Sequence, residues 1–249
     1  MKFIICGICG KMGENLLELL SSDGAEVVCG VDIRSSDKVC VPVYKSFEDI
    51  RESADAVIDF SSPAVLKDEM EWAVKHNIPV VLATTGYSAD QLAYIDGCAK
   101  KIPVFKTANF SLGVNLLVKL VKKAAEALGE NFDIEIIEKH HNKKADAPSG
   151  TALMLADGAN SAFENKKEYL NGREGIVGKR GKEIGIHAVR GGTIVGEHEV
   201  IFAGEDEIIS LSHSARSKKV FAAGAIKAAK WIVGKPAGKY DMTDVLQNL

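Results

Sequence analysis

The stretch "IICGICGKMGENLLELL", residues 4–20, decides how the first half of the chain is read. An apolar run ends at Cys6, glycines follow at Gly7, Gly10 and Gly13, and apolar residues then recur at helical spacing from about Lys11 to Leu20. A strand that passes through a glycine turn straight into a helix brings bare backbone close to a ligand. The N–H groups at the helix start, at the positive end of its dipole, then suit a pyrophosphate. The spacing is G-x-x-G-x-x-G rather than G-x-G-x-x-G, so a turn kept only for packing is the competing reading. Context favours the nucleotide: Asp32 closes the next apolar run, where a carboxylate accepts the hydroxyls of an adenine ribose. Arg34, two residues on, suits a ribose 2′-phosphate that Asp32 repels, so the pair admits NADH and leaves NADPH open.

Further along, "AEVVCGVD", "ADAVIDF", "IPVVLATTG" and "IPVF" alternate with helical patterns. Apolar runs separated by helices indicate β-α-β units, and hence a Rossmann-type, doubly wound parallel sheet covered on both faces. Ligands gather beyond the carboxyl ends of such strands. The residues there are Phe60-Ser61-Ser62, Ala83-Thr84-Thr85-Gly86 and Thr107-Ala108-Asn109-Phe110-Ser111, whose small hydroxyl and amide groups bond a carboxamide or a ribose without crowding it. From Ser111 the texture changes to a long helix pattern, the strand "FDIEIIEKHH", a helix from roughly Gly150 to Phe163, and three strand-like runs read as a meander. The pattern predicts a dinucleotide-binding domain over 1–111, completed by a terminal helix and tail over 219–249. Residues 112–218 form a second α+β domain with a mixed or antiparallel open sheet.

With 46% hydrophobic residues the chain has ample material for cores, and disorder is excluded. Thirty-one basic against 34 acidic side chains leave a net charge of -3, which gives no overall attraction to nucleic acid or an anionic membrane. Any anion site is therefore local. No apolar stretch reaches membrane-spanning length and the N-terminal run is broken by glycines and Lys11, so the expected location is cytoplasmic. Five scattered cysteines make no disulfide framework. Cys6 and Cys9 form a C-x-x-C without a second ligand pair, so no metal site is expected.

The local anion site is "KHHNKKADAPSGTA", residues 139–152. His140 and His141 deliver protons near neutral pH, and Lys144 adds a fixed cation. Ser149 is a plausible N-cap, with Gly150 and Thr151 opening a helix whose N–H groups bind an anion. A dicarboxylate fits this arrangement, one carboxylate at Ser149 to Thr151 and the other by His141 and Lys144. His76, His187, His198 and His213 read as structural. On the residues alone, another two-domain dehydrogenase of an amino or keto acid, such as an aspartate dehydrogenase, and a non-catalytic nicotinamide sensor both stay open.

At this segment the sequence resembles the 4-hydroxy-tetrahydrodipicolinate (dihydrodipicolinate) reductase family, whose signature is E-x-H-H-x-x-K-x-D-A-P-S-G-T-A. "GICGKMG", "VIDFSSP", "ATTGY", "ANFSLGVN", "VRGGTIVGEHEV" and "FAAGAIKAAKW" are similar to further motifs of that family, so the resemblance spans essentially the whole chain. It implies reduction of the cyclic imine formed from aspartate semialdehyde and pyruvate, on the route to diaminopimelate and lysine, with NADH or NADPH. It implies His140 as proton donor and Lys144 as its partner, with His141, Gly150 and Thr151 on the substrate carboxylates. Gly7, Ile8, Cys9, Gly10, Lys11, Met12, Asp32, Ala83, Thr84, Thr85, Thr107, Ala108, Asn109 and Phe110 fall on the dinucleotide, and a homotetramer built through the second domain is implied. The chain departs from the pattern at Ala83, which replaces a glycine, at Thr193, which replaces a frequent acid, and at Lys218, where an arginine is frequent.

Overall fold

The structure, a computed structural model, describes residues 1–247. Two compact units divide the chain: Met1–Ser111 together with the segment from Lys219 onward, and Leu112–Lys218. The last two positions of the 219–249 range, 248 and 249, lie outside the described residues.

The first unit contains, in chain order, β1 (Lys2–Cys6), α1 (Lys11–Ser22), β2 (Glu26–Val31), β3 (Val43–Tyr44), β4 (Ala56–Asp59), α2 (Leu66–His76), β5 (Val80–Leu82), α3 (Ala89–Cys98) and β6 (Pro103–Lys106). The second holds α4 (Leu112–Leu128), β7 (Asp133–His140), α5 (Gly150–Asn160), β8 (Tyr169–Asn171), β9 (Ile184–Arg190), β10 (Gly196–Ala203) and β11 (Ile208–Ala215). The chain then returns to the first unit as α6 (Lys219–Ile232), β12 (Gly238–Tyr240) and α7 (Met242–Val245).

The first unit's seven strands run in the order β12-β6-β5-β4-β1-β2-β3, all parallel. Phe3, Ile4, Ile5 and Cys6 are all buried, as the continuous apolar run of a strand covered on both faces requires. On α1, Leu16 and Leu20 face inward, and Gly13 lets the helix sit down on the preceding turn. A Cβ there would lie 2.2 Å from the carbonyl oxygen of Ile8. Ser88 and Gln91 close a capping box at the start of α3. The alanine-rich α6 packs on α1, braced by Lys219–Glu18 and Lys230–Asp23 ion pairs.

The second sheet has the order β11-β10-β7-β9-β8, with α4 and α5 closing its core. It is mixed: β7 is antiparallel to β10 and parallel to β9. This corrects the meander reading, because β7 is inserted between β9 and β10 and only β10 and β11 form a hairpin. Three short strands, β3, β8 in a polar segment and β12 near the C-terminus, also went unread. They have two or three residues each, too few to show a hydrophobic period.

Candidate active site

On the first unit, Gly7 follows β1 at φ +80°, and a Cβ there would lie 2.5 Å from the Phe60 carbonyl oxygen, so this position tolerates no side chain. Gly10 is the N-cap of α1 and supplies no capping side chain, which leaves the helix start to an external anion. Lys11 is exposed beside it and Met12 half-buried. Ile8 behaves differently from its neighbours in the turn. Its side chain is wholly buried against Gly30, so only its main chain is available to a ligand.

Asp32, just past the end of β2, accepts the Cys9 N–H at 3.0 Å, the Arg34 N–H at 2.9 Å and the Arg34 Nε at 3.3 Å. Burial pushes its carboxyl upward, but the bonds from Arg34 and Cys9 outweigh that and hold it below the usual carboxylate range. Acid and cation, read separately from the sequence, are one ion pair. Lys45 was missed by sequence reading; its Nζ holds the carbonyls of Asp32, Ile33 and Arg34 at 3.3, 2.8 and 3.0 Å. Gly7, Asp32, Arg34, Lys45, Phe60 and Ser61 line a cleft of about 290 Å³. The bare turn, the uncapped helix start and the carboxylate at the next strand end all fit a dinucleotide.

The loops after β4 and β5 meet at Asp59, the buried last residue of β4. Its Oδ1 accepts the Ser61 N–H at 2.8 Å and the Ser61 hydroxyl at 2.5 Å, and its Oδ2 accepts the Tyr87 hydroxyl at 3.2 Å. The Ser61 N–H also reaches Thr84 Oγ1 at 2.8 Å, so the second and third loops are tied together. Ala83 is half-buried and Thr85 exposed. In the last loop Thr107 donates to the Asn109 carbonyl at 3.3 Å, Asn109 Oδ1 accepts the Ser111 N–H at 2.8 Å, and Ala108 is exposed. Phe110 is buried against Phe60 and Phe105, a packing position.

On the second unit, β7 alternates so that Ile134, Ile136, Glu138 and His140 share one face. Glu138 is completely buried and carries four hydrogen bonds. Its Oε2 accepts His140 Nδ1 and Arg190 Nη1, each at 2.7 Å; its Oε1 accepts Arg190 Nη2 at 2.7 Å and the Ser149 N–H at 2.9 Å. Burial pushes its carboxyl up, yet Arg190, His140 and Ser149 together bring it below the ordinary value. Ser149 caps α5 through the Ala152 N–H and bonds His198 Nε2 at 3.0 Å. Gly150 is exposed and Thr151 half-buried at the helix start.

The His198 ring stands edge-on to that of His140, 5.2 Å between centroids, and burial lowers its pKa to about 4. His141 Nδ1 is buried with no hydrogen-bond partner among the described residues. Lys144 turns to Asp146, 2.8 Å from both carboxylate oxygens, and does not pair with a histidine. Arg190 and His198 were not selected from sequence, and neither was Glu138 as an anchor. For Glu138 the signal existed: a carboxylate two residues before His140 on a strand shares its face. Arg190 is His140's register partner on β9, and His198 is Glu138's on β10, which no local pattern reveals.

Loops gathered at the carboxyl ends of a parallel sheet, in a chain that carries a second mixed-sheet unit, are the arrangement of the two-domain nicotinamide-dependent dehydrogenases. Sequence patterns described as "Dihydrodipicolinate reductase, N-terminus" and "Dihydrodipicolinate reductase, C-terminus" match residues 1–110 and 113–246. The chain is 50% identical, over 99% of its length and 98% of the relative's, to a 4-hydroxy-tetrahydrodipicolinate reductase of Caldanaerobacter subterraneus subsp. tengcongensis. A dipicolinate-bound dihydrodipicolinate reductase from Paenisporosarcina sp. TG-14 superposes with a TM-score of 0.80 at 25% identity, covering 99% of both chains. Aspartate dehydrogenase from Thermotoga maritima shares only the fold, at a TM-score of 0.52 and 14% identity. The chain belongs to the dihydrodipicolinate reductase family and is an oxidoreductase of the diaminopimelate and lysine route, reducing 4-hydroxy-tetrahydrodipicolinate with a nicotinamide cofactor.

Proposed function

We propose that this reduction is carried out with His140 as proton donor, assisted by Lys144, on a dicarboxylate held by His141 and the start of α5. The observation that carries the reading is the convergence of His140 and the Ser149 N–H on the single buried carboxylate of Glu138, which ties a proton donor to an anion-binding helix start. Gly150 and Thr151 offer helix-start main chain to one substrate carboxylate, and the unpartnered His141 Nδ1 is a donor for the other. Gly7, Gly10, Gly13, Lys11 and Met12 surround the pyrophosphate, Asp32 takes the ribose, and Thr84, Thr85, Thr107, Ala108 and Asn109 face the nicotinamide side. Bound there, the cofactor supplies a hydride. The chain's own contribution is to orient the ring and deliver one proton from His140.

Both NADH and NADPH serve, because Arg34 neutralises Asp32 and is exposed to meet a 2′-phosphate. The protein acts as a cytoplasmic homotetramer. A coupled assay that generates the unstable imine from aspartate semialdehyde, pyruvate and a synthase tests the proposal. Turnover requires every component, and His140→Ala and Lys144→Ala lower kcat while cofactor affinity stays. An equal loss of both would remove these roles. Arg34→Ala raises KM for NADPH more than for NADH, and light scattering on the purified protein gives the oligomer.

A further inference from the structure

We infer that Glu138 is a positioning residue that fixes the tautomer of His140, so that only its Nε2 exchanges protons with the substrate. This rests on the reading of His140 as the proton donor. Burying a carboxylate costs several kcal/mol unless its lone pairs are filled, and here all are used for one arrangement. A carboxylate only accepts, so the His140 nitrogen 2.7 Å from Oε2 has to carry a hydrogen. In the neutral ring that hydrogen sits on Nδ1 and the lone pair on Nε2.

Arg190 makes the arrangement rigid. It grips both oxygens of Glu138 at 2.7 Å and bonds the Asp146 carbonyl at 2.7 Å, so the carboxylate cannot rotate away from His140 without breaking a bidentate pair. The Nε2 side meets a glycine. A Cβ at Gly196 would stand 3.1 Å from Nε2, and glycine leaves that approach clear. His198 supports the ring edge-on and holds Ser149, the residue whose N–H occupies the other oxygen of Glu138. When the charged ring acts, the Nε2–H bond breaks and a new bond to hydrogen forms on the substrate. The Nδ1 hydrogen stays between the ring and Glu138, and solvent restores the Nε2 proton. One carboxylate thereby sets both the donor and the start of the substrate-binding helix.

The direct test is nitrogen NMR of the full-length protein with labelled histidine, the His140 signals assigned by their loss in His140→Gln. The neutral wild-type ring is expected in the Nδ1–H form; the Nε2–H form overturns the proposal. In Glu138→Gln the carboxamide oxygen takes the position where Arg190 and the Ser149 N–H donate, which turns the NH2 group toward His140; Nδ1 then has to accept, and the ring changes to the Nε2–H form. There kcat falls by up to about 10⁴-fold, the loss known when a tautomer-fixing carboxylate is replaced by its amide, while KM for the cofactor is little changed. The double variant Glu138→Gln/Arg190→Met, which leaves no unpaired buried cation, gives the same pair of results in a protein freed of that strain. A fall in kcat with the tautomer unchanged would mark Glu138 as merely structural and also overturn the proposal. Full turnover in His140→Ala would instead remove the donor reading, and the wild-type tautomer would still report on Glu138 independently.

Discussion

Glu69, on α2, is completely buried, and neither of its carboxylate oxygens has a hydrogen-bond partner among the described residues. Its carboxylate lies with Cys6 and Asp59 in a buried cluster whose ligand atoms are within 4.8 Å of one another. Burial, then the nearby Asp59 charge, push the Glu69 carboxyl well above its ordinary value. A carboxyl raised in the folded state contributes stability that is complete below the unfolded pKa of about 4.3 and is lost as pH rises through the folded one. Glu69→Gln should therefore raise the melting temperature more at pH 8 than at pH 5; equal shifts at both would show that Glu69 is not protonated in the native state. His198 has the opposite sign. Its folded pKa of about 4 lies below the usual value for histidine, so its contribution is present above about 6.5 and is lost as pH falls toward 4. His198→Gln should flatten the fall in urea midpoint between pH 6.5 and pH 4.

At the scale of elements, α6 is held to the first unit at one point of very close approach. A Cβ on Gly224 would lie 1.7 Å from the carbonyl oxygen of Phe110, a clash with backbone that no rotamer relieves. Gly224→Ala should push α6 off the loop after β6 and cost about 1–3 kcal/mol, the range for overpacking a close-packed core, measured by denaturant unfolding. Gly97, with open space around its Cβ, is the control: Gly97→Ala in α3 should be neutral or stabilising by up to about 1 kcal/mol. The sequence carried α1 and α6 clearly, because each joins a strong apolar stripe to a glycine boundary, and it carried the start of α5 through the Ser149 cap. It carried the glycine turn, at a strand-to-helix junction, and Asp32, at the end of an apolar strand, because each leaves a local mark. Arg190 lies fifty positions from its partner His140, and only the β7–β9 register joins them, so no short window contains the pair. The misread meander has the same origin. Its strands were found, but the insertion of β7 between two of them is a property of the whole sheet.

At the scale of the molecule, each unit has its own apolar core, built in the first around Ile4, Val57 and Val80 and in the second around Ile134, Ile136 and Leu155. The first unit is discontinuous, because β12 pairs with β6 and α6 packs on α1 from the far end of the chain. Removing residues from Lys219 onward should therefore abolish NADH binding, although every proposed cofactor residue lies before position 111; retained binding, read by fluorescence titration, would show the sheet complete without them. The same discontinuity governs how the protein is made. As the chain emerges from the ribosome, all of the second unit is available to fold before α6 and β12 have been synthesised. Until then the apolar face of α1 and the open edge of β6 have no cover, and it is in that interval that a newborn chain is most prone to associate wrongly.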